Sequence, residues 1–83
     1  MPKSLHSPRH QAIATALAEQ RRAAGMTQAQ LARALGRHQP FIANIESGER
    51  RVDLSELMDI ADIIDLDVEA LVRTLRKLPS AVT

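Results

Sequence analysis

The 83-residue chain contains no cysteine, tryptophan or tyrosine, a single phenylalanine, three glycines and four prolines. Without cysteine there is no disulfide framework and no thiolate metal site, a composition that suits a reducing cytoplasm. No apolar run approaches the ~20 residues that a membrane span needs, and residues 1–12 lack the apolar stretch of a signal peptide. The expectation is a soluble cytoplasmic protein with no membrane partner. A single small domain with no second one is the expectation at this length, because domains usually run to about 100 to 150 residues and shorter ones struggle to bury enough surface. No segment alternates apolar and polar residues at period two for a strand's length, so β structure is not expected.

Net charge is also scarce, at +1, and its distribution says more than its sum. Residues 1–51 carry eight basic and three acidic side chains, net +5, whereas residues 52–83 carry three basic and seven acidic ones, net −4. A basic half joined to an acidic half fits a polyanion partner on one side of the molecule only.

What is present is helical punctuation. Ser7-Pro8 suits an N-cap and first helical position, and apolar residues then recur at helical spacing until Gly25, predicting a helix over residues 8–24. Thr27-Gln28-Ala29-Gln30 reads as a capping box that opens a second helix over 28–35, stopped by Gly36. Phe41, Ile42 and Ile45 mark a third over 39–47, ended by Gly48, with Pro40 tolerated in its first turn. Asp53 and Glu56 cap a fourth over 54–64, and Asp67 a fifth over 68–77. The expected organisation is a tail at 1–7, an all-α domain at 8–78 ending in a dimerisation helix, and a tail at 79–83.

The stretch TQAQLARALGRHQPFIANIESG, residues 27–48, has the pattern of a helix-turn-helix. Two short helices crossed steeply over a tight turn need a small residue at the crossing, supplied by Ala32, and φ > 0 in the turn, supplied by Gly36. Leu31, Leu35, Ile42 and Ile45 then anchor both helices to one core. Gln39 and Asn44 carry amides that can pair bidentately with adenine, and Ala43 offers a methyl contact to thymine.

With Arg21 ahead of Gly25, Met26-Thr27-Gln28, Leu31-Ala32, Leu35-Gly36 and the run from Ile42 to Arg50, the sequence resembles the XRE family, the Cro and lambda-repressor-like helix-turn-helix proteins. The resemblance spans roughly residues 17–71. It implies a compact five-helix DNA-binding domain whose third helix lies in the major groove, used by most members as a dimer on a palindromic double-stranded operator. It also implies base contacts from Gln39, Pro40, Ala43 and Asn44, and phosphate contacts from Gln28, Arg37, His38, Arg50 and Arg51. Arg21 and Glu46 match a structural ion pair of the family. Phe41 stays open between core packing and DNA contact. Three residues depart from the family pattern: His38 where a serine or threonine cap is common, Val52 where proline is frequent, and Asp65 where glycine often follows the fourth helix.

Leu71, Val72, Leu75 and Leu78 project along the fifth helix, either as a homodimer interface or as the last part of the core. The expected function is a sequence-specific DNA-binding transcriptional regulator, a repressor acting as a homodimer. The alternatives are the antitoxin of a toxin–antitoxin pair, with a toxin as partner, and a restriction-modification controller. A protein-interaction bundle without DNA affinity is the rival outside DNA binding. An enzyme is not expected, since there is no phosphate loop or nucleophile motif, no cofactor or metal is implied, and the chain leaves no room for a sizeable pocket. Pro8 lies between His6 and His10 at a helix start, which disfavours a metal pair.

Overall fold

The structure, a computed structural model, describes residues 7–80. These form α1 (Pro8–Ala23), α2 (Gln28–Ala34), α3 (Gln39–Glu46), α4 (Leu54–Ile64) and α5 (Val68–Arg76), with no strand among the described residues. Most of the two expected tails, His6 included, lies outside the described residues. No helix of the described residues is long and apolar enough to cross a membrane.

Short polar side chains set four of the five helix starts. The Ser7 hydroxyl accepts from the His10 N–H at 3.1 Å, and the Asp67 carboxylate from that of Ala70 at 3.0 Å. Thr27 with Gln30 and Asp53 with Glu56 form reciprocal capping boxes, each satisfying two otherwise orphaned N–H groups. α3 is the exception, since His38 makes no side-chain cap. Pro40 in its first turn reduces by one the donors that would need one.

The ends are equally local. Gly36, at φ +71°, lets Arg37 N–H reach the Ala32 carbonyl at 2.8 Å while its own N–H reaches Arg33 at 3.0 Å, which turns the chain from α2 into α3. Asp65 takes the left-handed conformation at the end of α4, φ 59°, where the family pattern has glycine. Gln20 of α1 donates to the carbonyls of Ile64 at 3.0 Å and Asp65 at 3.2 Å, so a tertiary contact holds a backbone shape that costs an L-residue energy.

Every helix delivers side chains to one core: Leu17, Leu31 and Ala32, Ile42 and Ile45, Leu57, Ile60 and Ile64, and Leu71. Ala32 is buried where α2 and α3 approach each other, the position at which the sequence requires a small residue. Leu71 calls for a correction to the partner-facing stripe. At 7% exposed it belongs to the core of the single chain, because α5 lies against α1 and closes that side of the bundle. Leu75 and Leu78 are half-buried, and of the four only Val72, 39% exposed, is open. Among the described residues, the other large exposed apolar side chains are Leu54 and Met58 on α4, at 66% and 51%.

An open trough of about 600 Å³ runs between α1 and α5, larger than the sequence suggested for so short a chain. Ala12, Ala16, Leu66 and Ala70 line it and Glu19, Asp65 and Asp67 also border it, with no histidine or cysteine in its wall.

Candidate nucleic-acid interface

The amphipathic pattern of α3 sorts its side chains cleanly. Ile42 and Ile45 are buried, while Gln39, Pro40 and Asn44 are exposed and Ala43 is half-buried. Residues 39 and 43, and 40 and 44, are four apart and so lie one above the other on the helix. The four residues assigned to base contacts therefore form a continuous strip on the side away from the core.

Behind that strip is a buried ion pair. Arg21 Nε donates to Glu46 Oε2 at 2.7 Å and Nη2 to Oε1 at 3.0 Å, with the side chains only 10% and 6% exposed. Arg21 Nη1 also donates to the Met26 carbonyl at 2.7 Å, so the guanidinium joins α1, the loop before α2 and the end of α3. The hydrogen bond to Glu46 pushes Arg21 above its ordinary range, against the opposing effect of burial. Burial alone would raise the Glu46 carboxyl, but hydrogen bonds from Arg21 and Gln28, with the arginine charge, hold it below its ordinary value.

Gln28 extends this pair outward. Its Nε2 donates to Glu46 Oε1 at 2.9 Å and its Oε1 accepts from Gln39 Nε2 at 2.8 Å. The sequence assigns Gln28 to phosphate and Gln39 to bases; their mutual hydrogen bond was not legible, because it depends on how α2 and α3 cross.

A second cluster surrounds Phe41. The ring packs against the core edge, and the guanidinium carbons of Arg37 and Arg50 both lie 4.6 Å from its centroid, within cation–π range. Glu56 Oε2 lies 2.9 Å from Arg50 Nη2 and 3.9 Å from Arg37 Nη2. Two arginines assigned to phosphates thus share one carboxylate and one aromatic ring. Glu56 was visible in the sequence only as a cap residue, and no spacing rule links it to residues 37 and 50. His38 and Arg51 are exposed beside these groups. His10, set aside as a metal ligand, has Nε2 2.8 Å from the Gly48 carbonyl and ties α1 to the turn after α3.

Two short helices crossed over residues 35–38, the second presenting amides outward and flanked by arginines, define a helix-turn-helix DNA-binding domain. A family model described as a helix-turn-helix domain matches residues 12–77. Among solved structures, the chain is similar to an XRE-family like protein from Pseudomonas syringae pv. tomato str. DC3000, at 44% identity and a TM-score of 0.78 over 90% of this chain and 92% of that one. No curated protein matches. The chain belongs to the XRE family of helix-turn-helix proteins, and its function is that of a DNA-binding transcriptional regulator.

Proposed function

We propose that the protein is a repressor that binds a palindromic operator as a homodimer, with α3 of each copy in successive major grooves. The observation that carries this reading is the exposed strip on α3, where two amides capable of bidentate adenine recognition stand on the face opposite Ile42 and Ile45. Gln39 and Asn44 read bases, Ala43 and Pro40 make apolar contacts beside them, and Gln28, Arg37, His38, Arg50 and Arg51 reach the flanking phosphates. Repression is steric, since a dimer seated on a promoter excludes polymerase.

Dimerisation rests on a physical argument. One such domain reads only a few base pairs, and two half-sites about 34 to 36 Å apart make a selective site. Val72 and the half-buried Leu75 on α5, with Leu78 just past its end, supply an apolar edge, and Leu54 with Met58 supplies another on α4. The antitoxin reading keeps the same DNA contacts and draws on the acid-bordered trough between α1 and α5 as a seat for a toxin.

Selection of bound duplexes from a random library tests the proposal. Enrichment of two inverted half-sites is expected, with Gln39→Ala and Asn44→Ala each relaxing one position at a cost of about 1 to 3 kcal/mol. Enrichment of a lone half-site would contradict the dimer, and undiminished selectivity in both variants would contradict the assignment of α3.

A further inference from the structure

Glu46 sits behind the DNA-facing strip, yet the hydrogen bonds that begin at its carboxylate run outward to a base-reading side chain. An ionised carboxylate has acceptors and no donor. Arg21 occupies both its oxygens, and Oε1 also receives Gln28 Nε2 at 2.9 Å. Gln28 must therefore turn its NH2 inward, which leaves its Oε1 facing outward. Gln39 can satisfy that oxygen only with its own NH2, as it does at 2.8 Å. We propose that Glu46 is a positioning residue for base reading, because its carboxylate fixes the direction of the Gln28–Gln39 amide chain and so the order in which Gln39 offers donor and acceptor to DNA.

That order matters at a base edge. Adenine presents an acceptor at N7 and a donor at N6, so a glutamine pairs with both only when its N–H meets N7 and its oxygen meets N6. Turned over, the same amide sets oxygen against N7 and N–H against N–H. A glutamine free in solvent has no fixed preference between the two. Here the choice is made before DNA arrives, by an ion pair buried behind the strip, and the helix crossing transmits it through two side chains. The inference rests on the assignment of Gln39 as a base-reading residue.

The chain of logic predicts what reverses it. In Glu46→Gln, Arg21 keeps the introduced carbonyl oxygen and the introduced NH2 faces Gln28, so Gln28 and then Gln39 turn over. Gln28→Lys reaches the same end with the Arg21–Glu46 pair intact, since the ammonium can donate to Glu46 but cannot accept from Gln39. It also covers the case in which Glu46→Gln does not fold.

The experiment is the base-preference profile of the full chain, from random-library selection, for wild type, Gln39→Ala, Glu46→Gln and Gln28→Lys. Wild type should show an adenine preference at one half-site position that Gln39→Ala removes. Glu46→Gln and Gln28→Lys should lower that preference about tenfold, a typical bidentate contribution, and leave the other positions unchanged. A loss of folding alone would lower binding to all sequences equally and leave the profile as it was. If the folded variants keep the wild-type preference, the positioning role is overturned while the Gln39 assignment stands. If Gln39→Ala does not alter the wild-type profile, the assignment fails and the inference with it.

Discussion

The Arg21–Glu46 and Arg50–Glu56 pairs both anchor the surroundings of α3, at 2.7 Å and 2.9 Å, but the first lies at 10% and 6% exposure and the second at 39% and 18%. Burial changes what the same chemistry does. Charges ~4 Å apart attract by about 1 kcal/mol in water and by about 4 kcal/mol at the effective dielectric of a protein site. The buried pair is therefore costly to break, while the exposed one can exchange its partner for another anion. Glu46 receives two donors from Arg21 and one from Gln28 and is fixed in place. Glu56 Oε2 is shared between Arg50 and, more distantly, Arg37.

Removing one partner of the buried pair is the strongest test of this difference. Arg21→Met leaves Glu46 without its guanidinium in a site that water barely reaches, and should destabilise the fold by about 3 to 5 kcal/mol in urea unfolding. A loss under 1 kcal/mol would place the two pairs in the same class. The pH dependence has a defined sign. The folded Glu46 carboxyl is held below its ordinary value of 4.5, so its contribution is complete above that value and is lost as pH falls through the folded one. Arg21 is pushed upward, so its side of the pair brings no loss on acidification. Wild type should lose stability below about pH 4.5 more steeply than the double variant Arg21→Met/Glu46→Met, compared by thermal melting across pH.

Phe41 links the exposed pair to the core and should give an intermediate effect. Its ring is half-buried, so Phe41→Ala should cost about 1 to 3 kcal/mol, within the ordinary range for single substitutions and below that of a fully buried phenylalanine. The same change removes the ring against which Arg37 and Arg50 rest. If Phe41 only carried the arginines and did not pack, the measured loss would fall to the size of a surface cation–π contact, about 0.5 to 1 kcal/mol.

The two pairs also differ in how far sequence revealed them. Helix starts were legible because Ser7, Thr27, Asp53 and Asp67 act on their own neighbours, three residues away. Gly36 stops α2 by an equally local rule. Arg21 and Glu46 were paired through the family pattern, 25 residues apart. Nothing comparable marked Glu56 as a partner of Arg37 and Arg50, since its capping role already accounted for an acid at that position. Leu71 shows the other limit, because periodicity identifies the apolar face of α5 but not whether α1 of the same chain or a second copy covers it. The Gln28–Gln39 bond depends on a helix crossing that no linear spacing encodes.

The smallest effect on stability separates the two pairs most sharply in function. In Glu56→Gln the introduced carbonyl can still accept from the Asp53 N–H, which Glu56 Oε1 receives at 3.1 Å, because glutamine serves a capping box as glutamate does. The carboxylate charge is lost together with the acceptor for Arg50 Nη2, which Oε2 receives at 2.9 Å, and ion pairs that solvent reaches contribute about 0 to 1 kcal/mol, so unfolding should shift by about 1 kcal/mol at most. Binding to DNA should respond in the opposite sense to stability. With the carboxylate gone, Arg37 and Arg50 no longer exchange Glu56 for phosphate on binding, and affinity for any duplex should rise several-fold. The salt dependence should steepen slightly, since in wild type the Glu56 carboxylate released on binding takes up a cation while the phosphates give theirs up, and in the variant it does not. Fluorescence anisotropy on a non-operator duplex across a salt series reads both quantities. Unchanged affinity and slope would show that Glu56 does not compete with DNA for the arginines, and the exposed pair would then be structural like the buried one.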